Sequence, residues 1–299
     1  MKPLLFRQFQ KTILILSVFT TGLLMLYACA SGHHPPYNGV LEPQRNLSDY
    51  QQRLHKAVTS SRSLSFDEIG RVSYPGFDAP LWRVLFQPNG TVKYKILFSA
   101  GIHGNEPAGA ECALRFLEAI ALNPEKYKDI AFDIIPLVNP WGWTYDIRFN
   151  QAGIDINRDF ATFDSQEARI IRHTLGKDQY TMMFDLHEDP DAKGFYIYQY
   201  GLEGQHVAEQ IVAAIHDMGY PIEQNVRMVA LKTENGIIDA PMWGLKYMRL
   251  TGQLSITNYY RFYHSPYVYT VETPTALPLE DRLTMQQTAV GILVDSYTP

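Results

Sequence analysis

Cysteine is scarce: the 299 residues hold two, Cys29 and Cys112. That excludes a disulfide framework, so stability has to come from a buried core. Positive charge is also in short supply. Lys and Arg number 26 against 31 Asp and Glu, for a net charge of −5, and no basic stripe is visible. Nucleic acid is therefore not an expected partner. Internal repeats and low-complexity blocks are missing too. With 46% hydrophobic and 19% charged residues, the composition excludes disordered and collagen-like classes and leaves room for one large α/β domain.

Acidic residues are absent from the first 29 positions, where Lys2, Arg7 and Lys11 precede an apolar run from Thr12 to Ala28. A basic head, an apolar run and a small residue at its end form a secretory signal. The ending Leu26-Tyr27-Ala28-Cys29 resembles the bacterial lipobox, in which the cysteine becomes the lipidated first residue. Residues 1–28 are thus expected to be a lipoprotein signal, with Cys29 carrying a lipid anchor to the membrane. The alternative is an uncleaved signal anchor. Both place the body outside the cytoplasm, in a bacterial cell envelope, and Ala30 after the cysteine resembles lipoproteins sorted to the outer membrane. Residues 29–46, rich in Gly, Pro, Asn and Ser, read as a flexible tether in which His33-His34 is solvated spacer. The body is expected to span 47–299. Cys112 falls in an apolar helical pattern and reads as a buried small hydrophobe.

Within the body, helical spacing marks 47–59, 106–122, 166–175, 205–218 and 279–297. Strand patterns mark 82–86, 93–98, 130–138, 182–186, 195–198 and 268–271. This alternation predicts an α/β fold with a mixed, largely parallel central sheet flanked by helices. Function in such sheets gathers at the carboxyl ends of strands.

His103-Gly104-Asn105-Glu106 lies at a strand-to-helix junction. On a tight turn an imidazole and a carboxylate three residues apart can face one centre, and that pair suits Zn²⁺. Gly101 and Gly104 permit the turn, and Pro107 fits the first turn of the helix. A catalytic zinc takes three protein ligands and leaves a corner for water. His187, at the end of the apolar strand Met182–Leu186, supplies the third. Asp185, two residues earlier on the same face, is either a partner for an imidazole or a loop acid.

Further along come Asn139-Pro140-Trp141-Gly142, then Arg148-Phe149-Asn150 and Gly153-Ile154-Asp155-Ile156-Asn157-Arg158, and finally Val271-Glu272-Thr273. With the His-x-x-Glu pair and the strand-end histidine, this order resembles the zinc carboxypeptidase family and its succinylglutamate desuccinylase and aspartoacylase relatives. The resemblance runs from His103 to about Thr275 and implies a zinc hydrolase of amide bonds. It implies that Asn157 and Arg158 grip a substrate carboxylate, as a guanidinium fork beside an amide does. Arg148 would stabilise the oxyanion, and Glu272 would serve as general base and acid.

The tyrosine that closes over substrate in the peptide-cleaving members has four candidates: Tyr247, Tyr259, Tyr260 and Tyr263. Arg261 and His264 fall in the segment that lines the side-chain pocket, which suggests an acidic residue beside the cut. Three readings follow. The first is a carboxypeptidase acting on peptides or cell-wall peptides, favoured by the extracytoplasmic address. The second is a deacylase of N-acyl amino acids. The third is a zinc-retaining envelope lipoprotein without catalysis, against which intact Glu272 and Arg148 both speak.

Overall fold

The protein is described by a computed structural model covering residues 33–200, 206–224, 227–228 and 231–297. Helix α1 (Leu47–Thr59) opens where the Asn46 side chain accepts from the Asp49 N–H, satisfying an amide that the first turn leaves unpaired. A long antiparallel pair follows, β1 (Leu64–Tyr74) and β2 (Phe77–Phe86). Then come β3 (Tyr94–Ala100), α2 (Pro107–Leu122), β4 (Ile130–Ile135), the short α3 (Pro140–Tyr145) and α4 (Gln166–Leu175). The second half holds β5 (Met182–Asp189), β6 (Tyr196–Tyr200), α5 (Val207–Asp217), a small ribbon of β7 (Arg227–Met228) and β8 (Leu231–Lys232), and β9 (Ile237–Asp239). It closes with α6 (Met242–Leu250), α7 (Ile256–Tyr263), β10 (Tyr267–Pro274) and α8 (Leu279–Asp295).

Eight strands form one sheet in the order β1-β2-β4-β3-β5-β10-β6-β9. The centre, β4-β3-β5-β10, is parallel, and the flanks bring in antiparallel pairs. This is the expected mixed, largely parallel α/β sheet. Most expected elements appear with ends moved by one to four residues. The strands without an expected counterpart are the short β7, β8 and β9 and the long β1. β1 is the informative case. Its residues alternate weakly in burial, and the register slips between Glu68 and Gly70, so no clean period of two is visible.

Side chains alternate across each strand, and two hydrophobic layers result. Ile96, Phe98, Phe184, Leu186, Tyr269 and Val271 join the layer under α1, α2 and α8. Leu97, Met183 and Val268 join the layer on the other face, with Ile256 and Tyr260 of α7. The same alternation puts Ser99, Asp185, His187, Thr270 and Glu272 on that second face, toward the carboxyl ends of β3, β5 and β10. Cys112 is free and fully buried in α2, as expected.

The N-terminal signal and the expected lipidation site Cys29 lie outside the described residues. From His34 onward the expected tether is not free of the body. His34 N–H donates to Gly153 O at 2.6 Å, its ring stacks on Tyr37 and Phe149, and Tyr37 leans on Trp141. Arg45 donates to Gly104 O and Trp143 O and pairs with Asp146. The aromatic contacts outweigh the polar composition that suggested a spacer. Among the described residues no helix is long and apolar enough to cross a membrane.

Candidate functional site

His103 and Glu106 sit on the turn between β3 and α2, and that turn is pressed against the start of α3. A Cβ on Gly104 would stand 1.9 Å from Gly142 carbonyl carbon, so neither side chain nor extra volume fits between the two backbones. Gly101 adopts φ +64°, which an L side chain rarely tolerates. Asn139 ties the approach together: its Oδ1 accepts from Gly142 N–H at 2.8 Å and its Nδ2 donates to Arg148 O at 3.3 Å. The Asn-Pro-x-Gly motif therefore seats the ligand turn and fixes the backbone that carries Arg148.

His103, Glu106 and His187 converge and are all buried. His103 Nδ1 lies 2.7 Å from Glu106 Oε1, His187 Nδ1 lies 2.9 Å from Glu106 Oε2, and the two Nδ1 atoms are 3.1 Å apart. A tetrahedral cation with bonds of about 2.0–2.1 Å holds its ligand atoms about 3.3 Å apart, so the donor set fits a divalent metal. The far side of each ring is held as well. His103 Nε2 is 3.1 Å from Asp155 Oδ1, and His187 Nε2 is 2.7 Å from Asp185 Oδ2. Asp185 in turn accepts from Ser99 Oγ at 2.6 Å. Both imidazoles thus turn Nδ1 toward the centre, which is how carboxylates orient metal-binding histidines. Of the two readings of Asp185, the structure selects the imidazole partner.

The electrostatics follow. Burial alone would raise Glu106, but the imidazoles of His103 and His187 outweigh it and hold the carboxyl well below its usual range. Burial likewise disfavours a charged His187, yet Asp185 and Glu106 push it well above the ordinary imidazole value. Asp155, despite burial, is held low by His103 and Arg148.

Glu272 stands beside this cluster, paired in register with His187 on the neighbouring strand. Its environment acts the other way: burial, reinforced by Glu106 and Asp189, pushes its carboxyl up to about 8 against the pull of His187 and Arg148. Arg148 reaches in from the opposite side, with Nη1 3.3 Å from Glu106 Oε1, and Nε and Nη2 on Asp155 Oδ2 at 3.1 and 3.0 Å. Asn157 is buried, with Oδ1 accepting from Ile256 N–H and Nδ2 3.2 Å from His187 Nε2. Arg158 is partly buried and donates to Asn157 O at 2.9 Å. The seven residues expected to hold the metal, grip the carboxylate or act on the amide, His103, Glu106, Arg148, Asn157, Arg158, His187 and Glu272, therefore belong to one neighbourhood.

The late aromatic segment differs from expectation. His264 is not a pocket residue: Nδ1 is 2.9 Å from Asp178 O and Nε2 is 3.3 Å from Tyr259 Oη, at the buried end of α7. Tyr259 and Tyr260 are enclosed with Phe160, Phe163 and Tyr180, so packing occupies both rings. Tyr247 and Tyr263 are exposed. Arg261 is partly buried and its Nε has no hydrogen-bond partner.

Three tyrosines that the sequence reading passed over stand nearer the reaction side. Tyr196 pairs with Glu272 in register, and Tyr198 and Tyr200 share its face of β6. Burial raises all three hydroxyls, with Glu272 adding to the effect. Their period-two spacing was the available signal. Asp155 lies within the Gly153–Arg158 motif, and Glu188 directly follows His187.

Residues 93–233 match the sequence profile of the succinylglutamate desuccinylase/aspartoacylase catalytic domain. Carboxypeptidase 2 of Trichophyton rubrum is 30% identical over 109 residues, covering 34% of this chain and 20% of the fungal protein. Carboxypeptidase E of Caenorhabditis elegans is 29% identical over 117 residues, covering 32% of this chain and 24% of its own length. The match thus spans about a fifth to a quarter of these relatives. Among solved structures, a candidate metallopeptidase of Shewanella amazonensis superposes with TM-score 0.72 at 22% identity, over 85% of this chain and 94% of that one. A metallo-carboxypeptidase of Burkholderia cenocepacia gives 0.60 at 18% identity, over 83% and 69%. These likenesses carry the fold, and the profile match and the shared order of motifs support the same kinship. The chain is thus similar, in profile, motif order and fold, to the superfamily that unites the zinc carboxypeptidases with the succinylglutamate desuccinylases and aspartoacylases.

Proposed function

We propose that this protein is a zinc-dependent carboxypeptidase that hydrolyses the amide bond next to a free carboxylate, in peptides or cell-wall peptides of the bacterial envelope. The observation that carries the reading is the junction of two opposed environments on adjacent strands. His187, a member of the converging His-Glu-His set, lies beside Glu272, whose carboxyl is raised toward neutrality.

His103, Glu106 and His187 would hold the zinc. When bound, zinc supplies a Lewis acid and acidifies a water molecule. Glu272 would accept a proton from the attacking water and return it to the leaving amine, a dual role suited to a carboxyl whose pKa sits near the working pH. Arg148 places a fixed cation where the oxyanion forms. Arg158, with the amide of Asn157, receives the terminal carboxylate and sets which bond faces Glu272. Tyr196, Tyr198 and Tyr200 wall the site with hydroxyl-tipped rings. The basic, apolar and Ala-Cys features of residues 1–29 support an envelope address with a lipid anchor at Cys29.

A second reading, deacylation of N-acyl amino acids, is favoured by the profile match over 93–233. Both substrate types present a carboxylate next to an amide. Full-length protein loaded with zinc, offered matched peptides with free and amidated C-termini and a panel of N-acyl amino acids, separates them. We expect cleavage of free-ended peptides and loss of activity on amidation. Turnover confined to N-acyl amino acids would select the deacylase, and equal cleavage of amidated peptides would remove the carboxylate grip.

A further inference from the structure

The closing helix α8 reaches the His103–Glu106 turn and the end of β5 through Glu188 and through the carbonyl of His187. Glu188 N–H donates to Glu106 Oε2 at 3.0 Å. Its side-chain Oε2 accepts from Ala108 N–H, in the first turn of α2, at 2.8 Å. Its Oε1 pairs with Arg282 of α8. One turn further on, Gln286 Nε2 donates to His187 O at 3.1 Å and lies 3.3 Å from Thr273 Oγ1. Thr273 Oγ1 in turn donates to the same His187 carbonyl at 3.4 Å. Residues four apart share a helix face, so Arg282 and Gln286 form a single grip on the end of β5.

Packing does not require this grip. Helix α8 already buries Leu283, Met285, Ala289, Val290, Leu293 and Val294, and a buried ion pair is a weak way to add stability to such a seam. What the polar contacts add is direction. They end on His187, on Glu188, on the turn and helix that carry Glu106, or on Thr273, which itself donates to the His187 carbonyl. We infer that Glu188, Arg282 and Gln286 are positioning residues that set the distance between the His103–Glu106 turn and His187. This rests on the metal-centre reading.

The test is zinc affinity of the full-length protein by competition with a chromogenic chelator, beside thermal unfolding of the metal-free forms. R282M and E188Q should bind zinc about ten- to hundredfold more weakly, the usual scale for groups that orient metal ligands. R282K should recover most of that loss. V290A, which opens a cavity in the same helix and touches no polar contact, should lose thermal stability yet bind zinc within twofold of wild type. Should R282M fail to fold, Q286L removes the helix's own donor to the His187 carbonyl without stranding a charge and should show the same loosening. Wild-type affinity in E188Q and Q286L would overturn the inference, and so would equal loosening in V290A. Wild-type protein that takes up no zinc would instead overturn the metal-centre reading itself.

Discussion

The two halves of the site differ in how completely their polar atoms are engaged. On the ligand half, each imidazole has a carboxylate behind it, Glu106 is met by a backbone N–H as well as both histidines, and Ser99 and Asn157 steady the outer layer. On the reaction half, among the described residues, the Glu272 carboxyl makes no hydrogen bond and the Arg158 guanidinium donates only to the carbonyl of Asn157. The carboxyl groups record the same contrast. Glu106 and Asp155, facing cations, are held low, whereas Glu272, whose burial outweighs the pull of His187 and Arg148, rises to about 8. A group that grips an ion gains from having its geometry fixed beforehand. A group that must accept and release a proton needs a free lone pair and a pKa near that of its surroundings.

The largest break in this comparison should come from E272Q. Removing the base while keeping its shape should lower kcat by about two to four orders of magnitude, with zinc content unchanged because the ligand half is untouched. The pH profile sharpens the point. As a base Glu272 would act only when deprotonated, so kcat/KM should fall as pH drops through its pKa, which burial pushes up to about 8. E272Q should erase that acid limb. An unchanged limb in the variant would assign it to another group, and full activity would remove Glu272 from the reaction.

A smaller effect is expected from R158M. Charge-assisted hydrogen bonds are worth about 1.5–3 kcal/mol, so KM for free-ended peptides should rise roughly tenfold to a hundredfold while kcat moves less. Amidated peptides, which lack the charge, should be little affected. A parallel fall in kcat with KM unchanged would place Arg158 on the reacting atoms rather than on the carboxylate.

How far the sequence reveals all this depends on distance along the chain. His103 and Glu106 share one turn, and His187 and Glu272 each end an apolar strand, so local pattern identifies them. Helices 47–59 and 166–175 are equally plain because polar caps and apolar spacing coincide. Asp155, Asp185, Glu188 and Arg282 are a different matter: their partners lie from two to 94 residues away, and only the fold shows whether an acid faces an imidazole or water. The aromatic segment misled for the same reason. Tyr259, Tyr260 and His264 carry the residue types of a pocket, but the turns of α7 that hold them face Phe160 and Tyr180. β1 escaped notice because a bulge broke its alternation.

The smallest predicted effect concerns a carboxylate that resembles Glu272 in burial and the ligand acids in its bonding. Glu167 is buried and accepts from Asn150 Nδ2 at 3.0 Å and from Tyr74 Oη at 2.9 Å, thereby bracing the loop between Arg148 and Asp155. Unlike Asp155 it has no cation beside it, and burial raises its pKa above the ordinary carboxylate value despite both bonds. A raised native pKa means that the folded protein holds the proton more tightly than the unfolded chain. The stability this gives is fully present below the unfolded-state pKa and is lost as pH rises through the native one. The neutral isostere E167Q has no charge to bury. Compared with wild type by urea unfolding, it should therefore fare better at pH 7 than at pH 4, whatever the constant effect of the altered hydrogen bonds. A difference that stays flat across that range would show that Asn150 and Tyr74 compensate the buried charge fully, and would move Glu167 to the side of the ligand acids.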